Sequence, residues 1–383
     1  MPDHPLTNIR ILDLSRLLPG PYLTQLLADL GAEVIKVETP LAGDYTRLAP
    51  PEMGLGNLYE TLNQGKKSLA LNYRNPRGRE LFLKLAATAD VVLEGFRPGV
   101  ADKYGIGYQA VRAVKADIVY CSLSGYGQDG PYRQRAGHDL NYISIGGALS
   151  LNARPGEKPI LYGLPVADLS GGMLAAVAIL GALLGRERNR GGMYLDVALL
   201  DGVVSWMTPL ALSAHFSGLD VSAGSHPLLG GQACFNVYET ADGKYLSLAA
   251  LEPYFWGDFC KTIGRPDLIE RQFEAGLGKI LTDIFQQKTQ AEWLSLFAGQ
   301  DACIEPVNTV EEALSDPQIR ARGHIREEAG RPAGMNSPFV FSRPKRTPAP
   351  ALGADTRAVL MEIGIGEQEI ETLNERGIIA FHR

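Results

Sequence analysis

Three residues in polar, turn-rich settings have side chains suited to moving protons: His138 in AGHDLNY, Asp168 in PVADLSGG and Glu252 in LEPYFW. An imidazole gives or takes a proton near neutral pH. A carboxyl does the same once burial lifts its pKa. Together they make the usual equipment of general acid–base catalysis. Each also has a purely structural reading. A loop histidine hydrogen-bonds the backbone, Asp168 or Ser170 caps the apolar helix that follows, and Glu252 precedes a helix whose dipole favours negative charge. The Gly171–Gly172 pair lets backbone or a ligand come close, and amides at that helix start are candidates to hold an anionic oxygen. Lys66, Lys67, Arg74, Arg77, Arg79 and Arg97 form either a solvated basic face or a set of phosphate partners. No HExxH, DxDxDG or spaced Cys/His set occurs, so no metal site is expected.

The elements that must position these residues alternate strand and helix. Ile11–Ser15 reads as a strand, Pro19–Gly31 as a helix ending on a C-cap glycine, and Ala32–Glu38 as a second strand. A connection of that length joins parallel strands by a right-handed crossover. The helical RGRELFLKLAATA and the strands Ala89–Phe96 and Ala116–Ser124 repeat the pattern. The expected fold is α/β: a large domain with an open, mostly parallel, Rossmann-like sheet, plus a smaller α+β domain. The loop-like Ser222–Gly231 suggests a division into 1–222, 223–328 and a C-terminal return, 329–383. Within the second part, YETADGKYLSLAAL reads as a hairpin with a type I′ turn at Asp242–Gly243, and 304–307 as a strand. The end of the chain reads as surface helix. The first strand–helix turn, SRLLPGPY, lacks GxGxxG, and no GxxxxGK[ST] is present, which disfavours hydride transfer and NTPase chemistry.

Over 383 residues, 45% hydrophobic and 21% charged, the chain can bury a sizeable core. A net charge of −6 argues against nucleic-acid partners and acidic membranes. The longest apolar run, Met173–Leu184, is shorter than the roughly 20 residues a bilayer span requires, so no membrane association is expected. Four scattered cysteines and no secretory leader point to reduced thiols and a cytoplasmic protein.

Several ordered stretches resemble one family. RILDLSRLLPGPYLTQLLADLGAEVIKVE, LNQGKKSLALNYRNPRGRE, ADVVLEGFRPGV, SLSGYGQDGPY and DVALLDG are similar to the class III (CaiB/BaiF) CoA-transferase superfamily, from about Ile9 to Arg343. AGHDLNYIS, VADLSGG and LEPYFW are most similar to its α-methylacyl-CoA racemase branch. The resemblance implies that His138, Asp168 and Glu252 form the catalytic set and that a 2-methylacyl-CoA thioester is inverted at its α-carbon through an enolate. It implies no tightly bound cofactor, with coenzyme A arriving as the thioester substrate. CoA contacts are expected at Arg16, Leu17, Arg47, Lys66, Lys67, Leu71, Arg97, Gly125 and Tyr126, and acyl-pocket candidates lie near Tyr142, Leu229 and Tyr238. An interlocked homodimer is also implied, with Glu252 supplied by the other chain. The alternative is a true CoA-transferase in which Asp168 is the nucleophile, forming an anhydride and then a thioester. Such enzymes tend to carry a GGGGQ-like loop, where this chain has LLGGQACF (Leu228–Phe235). A third reading, an acyl-CoA-binding or scaffold protein, leaves the three proton-transfer residues without a task.

Overall fold

The computed structural model describes residues 4–381 apart from 55–56, 219 and 329–330. The chain divides into two compact units, Met1–Gly146 with Gly163–Trp206 and Arg322–Arg383, and Gly147–Tyr162 with Met207–Ala321. Against the divisions expected at 222 and 328, the second unit starts at 207, ends at 321 and includes 147–162.

In the first unit, β1 (Arg10–Asp13), β2 (Glu33–Glu38), β3 (Lys67–Leu71), β4 (Val91–Glu94), β5 (Val119–Ser124) and β6 (Met193–Ala198) are parallel. Strands β2, β4 and β5 are buried on both faces, as crossover helices require. Helix α1 (Pro19–Asp29) starts on prolines whose missing N–H costs nothing there, and the chain leaves it through Gly31 at φ +101°. Helix α2 (Pro76–Ala86) buries Leu81, Phe82 and Leu85 against Leu12, Ile35, Leu69 and Val92. Helix α3 (Asp139–Ile145) and helix α4 (Val166–Glu187) follow β5, and α5 (Leu199–Ser217) follows β6. At 22 residues α4 is long and apolar enough to cross a membrane, so the length argument from Met173–Leu184 does not hold. Half of its most apolar window is nevertheless buried, and it packs on α1, β5 and β6 as a core helix does.

The second unit holds an antiparallel sheet of β7 (Phe235–Glu239), β8 (Tyr245–Ala249) and β9 (Ile304–Pro306). Helix α6 (Pro253–Thr262) and helices Leu277–Phe285 and Gln290–Leu296 enclose an aromatic core of Trp256, Phe259, Phe285 and Trp293. The β7–β8 hairpin corrects the turn assignment. Strand pairing ends at Glu239 and Tyr245, Gly243 has positive φ and Asp242 does not, so the connection is a longer loop rather than a two-residue type I′ turn.

The chain then returns to the first unit through β10 (Ile325–Glu328), β11 (Arg331–Met335), α7 (Thr356–Glu362), α8 (Glu367–Glu375) and β12 (Ile379–Ala380). The expected surface helix is instead core. Val359, Leu360, Ile370 and Leu373 are buried, and β12 pairs antiparallel with β3. Among the described residues the large sheet has seven strands in the order β12-β3-β2-β1-β4-β5-β6.

Candidate active site

The strand order reverses at β1, which pairs β2 on one side and β4 on the other. In open α/β sheets, ligands bind beyond the carboxyl ends of the strands at such a switch point. Here the loops after β1 and β4 meet: a Cβ on Gly95 would lie 3.6 Å from Cβ of Ser15. The Arg16 guanidinium stands 5.3 Å from the Tyr45 ring and 5.6 Å from the Phe96 ring, bridging the two loops. Arg16, Tyr45, Asn72, Arg74 and Asn75 line a cleft of about 560 Å³ on the β2–β3 side of the crevice. Tyr45, Asn72 and Asn75 were not foreseen. Their available signal was their position just past the carboxyl ends of β2 and β3.

A buried charge network beneath β1 holds this loop in place. Thr24 Oγ1 donates to Asp13 Oδ2 (2.7 Å), and the Ser15 hydroxyl also donates to Asp13. Lys36 Nζ donates to the Ser15 carbonyl and pairs with Asp44, each at 3.0 Å. Asp44 Oδ1 accepts the Leu17 N–H at 3.2 Å, fixing Leu17 at φ +65°, a strained conformation for a non-glycine residue. Burial alone would raise Asp13, but Lys36 and Lys66 outweigh it and hold the carboxyl below its usual range.

This network absorbs several residues expected at the phosphates. Lys66 Nζ is buried and donates to Thr24 Oγ1 (2.7 Å), the Pro21 carbonyl (2.9 Å) and Asn63 Oδ1 (3.0 Å). Burial, with Lys36 nearby, pushes it down to about 7. Lys67 pairs with Glu33 (2.6 Å) and Glu362 (3.3 Å), and Arg47 grips both oxygens of Glu38 at 2.8 Å. Leu71 is fully buried in the core. The side chains of these four residues are thus engaged within the protein. Arg77 is likewise paired, with Glu80 and Glu369. Arg16 and Arg97 remain, joined by Arg74; Arg97 is exposed and has no ion-pair partner among the described residues.

Across the switch point, Tyr142 of α3 organises the other half. Its ring sits 5.0 Å from that of Tyr126, and its hydroxyl donates to the Gly137 carbonyl (2.7 Å). A Cβ on Gly125 would stand 2.4 Å from the Tyr142 hydroxyl, which explains that glycine in the GYG turn. Burial first, then the charge of Asp168, pushes Tyr142 up to about 12.

His138 immediately precedes α3; it is exposed, and its backbone N–H donates to Asn141 Oδ1 at 3.0 Å. Asp168 lies in the first turn of α4, and burial followed by the charge of Asp139 pushes it up to about 7. Asp139, which no sequence motif marks, links the two segments: its Oδ1 accepts the N–H groups of Ala167 (2.6 Å) and Asp168 (3.2 Å). The signal for it was an acidic residue opening a helix directly after a candidate base. These bonds also correct the expected oxyanion donors. With Leu169 N–H bonded to the Pro165 carbonyl, the amides from Ala167 to Leu169 are all engaged. The Gly171–Gly172 pair serves packing, since Cβ atoms there would lie 2.6 Å from Leu199 and 2.9 Å from the Pro19 carbonyl.

The profile of CoA-transferase family III matches residues 6–356. The chain belongs to CoA-transferase family III. It is 33% identical to the alpha-methylacyl-CoA racemase of Homo sapiens, over 98% of this chain and 97% of that protein. It is 35% identical to the succinyl-CoA:glutarate CoA-transferase of Mus musculus, over 99% of this chain and 91% of that one. A crystal structure of a CAIB/BAIF family protein from Brucella suis superposes with a TM-score of 0.82 at 31% identity, covering 94% of this chain and all of that one.

For a member of CoA-transferase family III, the remaining candidates lie in the second unit. Glu252 is exposed at the start of α6 and makes no side-chain cap bond. Gly230 (φ +84°) and Gly231 form a pinned turn: a Cβ on Gly231 would lie 2.3 Å from the Ser225 carbonyl, and Asn236 donates to the Gly230 carbonyl (2.9 Å). Leu229 ends the short helix in that turn. Tyr238 is buried, its ring 4.7 Å from Phe285 and its hydroxyl donating to the Ala233 carbonyl, so it is core and not pocket lining. Among the described residues, no group of three His, Cys, Asp or Glu side chains is arranged to hold a metal ion.

Proposed function

We propose that this member of CoA-transferase family III is an acyl-CoA racemase, inverting the α-carbon of a 2-methylacyl-CoA by proton transfer between two groups. One observation carries the reading: Asp139, next to His138, accepts the Asp168 N–H at 3.2 Å and so ties the two segments together, beside an Asp168 carboxyl that burial pushes up to about 7. A carboxyl poised near 7 can accept a proton in one direction and return it in the other, which two-base inversion demands. In one direction His138 takes the α-proton, and the C–H electron pair moves onto the thioester oxygen as an enolate. Asp168 then delivers its proton to the opposite face, and the reverse reaction exchanges the roles. The amides of Asp139 and Leu140, which donate to nothing among the described residues, are the donors left for the enolate oxygen. Arg16, Arg74 and Arg97 would meet the phosphates of CoA.

Glu252 completes the set by orienting His138, and we assign it to the partner subunit of a homodimer. The apolar side chains Met173, Val177 and Leu184 stand exposed on α4, which supports a second copy packing there. The four free cysteines, three of them buried, support a cytoplasmic setting.

The likeness to the mouse CoA-transferase supports a second reading, in which the Asp168 carboxylate attacks the thioester carbonyl and expels CoA as thiolate. Incubation with a chiral 2-methylacyl-CoA in heavy water separates the two. The racemase reading predicts α-deuterium uptake with loss of optical activity and no need for an acceptor acid. Transfer of CoA to a free acid without α-exchange would favour the second reading.

A further inference from the structure

We infer that Asp139 is a positioning residue that couples the two proton-transfer groups: its carboxylate, seated on the backbone of Asp168, sets where that residue stands relative to the segment carrying His138. The inference rests on the racemase reading above. Asp139 follows His138 directly and opens α3, while its Oδ1 reaches α4 and accepts the N–H groups of Ala167 and Asp168 at 2.6 and 3.2 Å. One side chain thus spans the two segments that bear the reacting groups. The His138 backbone is fixed from the other side by Asn141 Oδ1, so the segment has little freedom to drift.

Capping alone does not require a charge. Asparagine would offer the α4 amides an oxygen at the same reach as aspartate does. A carboxylate brings a negative charge beside a carboxyl that must hold a proton in one direction of turnover. Among the described residues Asp139 has no lysine, arginine or histidine ion-pair partner to cancel it. Elements packed around the start of α4 bring His138, Asp139 and Tyr142 (α3), Arg97 and Tyr126 (loops after β4 and β5) and Tyr22 (α1) to this region. Of these, Asp139 is the one whose charge acts on Asp168, in the direction that favours the protonated acid. Geometry and charge therefore serve the same end.

Two variants separate the roles. Asp139→Asn keeps an oxygen for both amides and removes the charge, whereas Asp139→Ala removes both. α-Proton exchange of a 2-methylacyl-CoA is followed in heavy water from about pH 5 to 9, with thermal melts by circular dichroism to verify folding. Asp139→Ala is expected to lower kcat by on the order of 10²-fold with KM little changed, the signature of misplaced reacting groups. Asp139→Asn should recover much of that loss and move the limb governed by Asp168 to lower pH, since Asp168 ionises earlier without its neighbour's charge. Folded variants with wild-type kcat and an unmoved pH profile would overturn the inference. So would an Asn variant no better than Ala with no shift. Wild-type protein that transfers CoA without exchanging the α-proton overturns the racemase reading instead. The Asp139 comparison is then read on the transfer rate, whose rising limb should move to lower pH in Asp139→Asn; an unmoved limb rejects the role.

Discussion

Two groups of buried or half-buried acids lie at and beside β1, and they are built in opposite ways. On the β2–β3 side, Asp13, Asp44 and Glu38 are surrounded by Lys36, Lys66 and Arg47, and Asp13 and Asp44 are held below their usual range despite burial. On the β4–α4 side, Glu94 and Asp168 have no ion-pair partner among the described residues, and burial pushes each up to about 7. Glu94 accepts the Phe96 N–H at 2.7 Å, which braces the loop bearing Arg97. Paired charges on one side stiffen a loop; on the other, Glu94 is taken up by the Phe96 amide while Asp168 remains able to exchange its proton. The difference separates architecture from chemistry where residue type alone does not.

The sharpest way to break this comparison is to exchange the consequences of mutation. Asp168→Asn should cut racemisation by about 10³-fold, within the range general acid–base groups supply, while leaving the denaturation midpoint close to wild type or higher. Lys36→Met should do the reverse, costing about 3–5 kcal/mol in urea unfolding because it strands Asp44 as a buried charge and leaves Asp13 with Lys66 alone. A stable Lys36→Met protein, or a collapsed Asp168→Asn one, would erase the distinction. Arg16→Ala should raise KM for acyl-CoA roughly tenfold, in line with a lost charged hydrogen bond, with kcat less affected.

The smallest effect is on stability against pH, and the two sides contribute with opposite sign. Burial, then the charge of Asp139, pushes the Asp168 carboxyl up to about 7 in the folded chain, whereas an unfolded aspartate titrates near ~3.9. The folded state thus binds more protons between those values, and this group's contribution to stability falls as pH rises through that window. Asp168→Asn should therefore raise Tm by about 2–4 °C at pH 8 and leave it unchanged near pH 4. Asp13 and Asp44, held low, contribute stability that is present at neutral pH and lost as acid protonates them.

Much of the first unit was legible because β1, β2, β4 and β5 lie in short stretches rich in β-branched and apolar residues and its first helix has clear punctuation at both ends. The missed strands lacked that signal. β3 reads as part of a basic stretch, β6 begins with exposed residues, and β12 has only two residues and runs antiparallel. Which cations are free was also hidden, since Lys67 is neutralised by Glu362, 295 positions away. Asp168 was legible as a candidate through its motif, but its lifted pKa depends on burial that no local pattern encodes. Asp139 was concealed because its partners lie beyond a long intervening loop.

The central claim is that His138 and Asp168 work on opposite faces of one carbon. The most direct measurement is α-deuterium exchange from each pure enantiomer of a 2-methylacyl-CoA, using His138→Ala and Asp168→Ala. The account predicts mirror-image defects: each variant loses exchange from one enantiomer, retains it from the other, and fails to racemise either. Equal loss from both enantiomers in either variant, or undiminished racemisation, would contradict it.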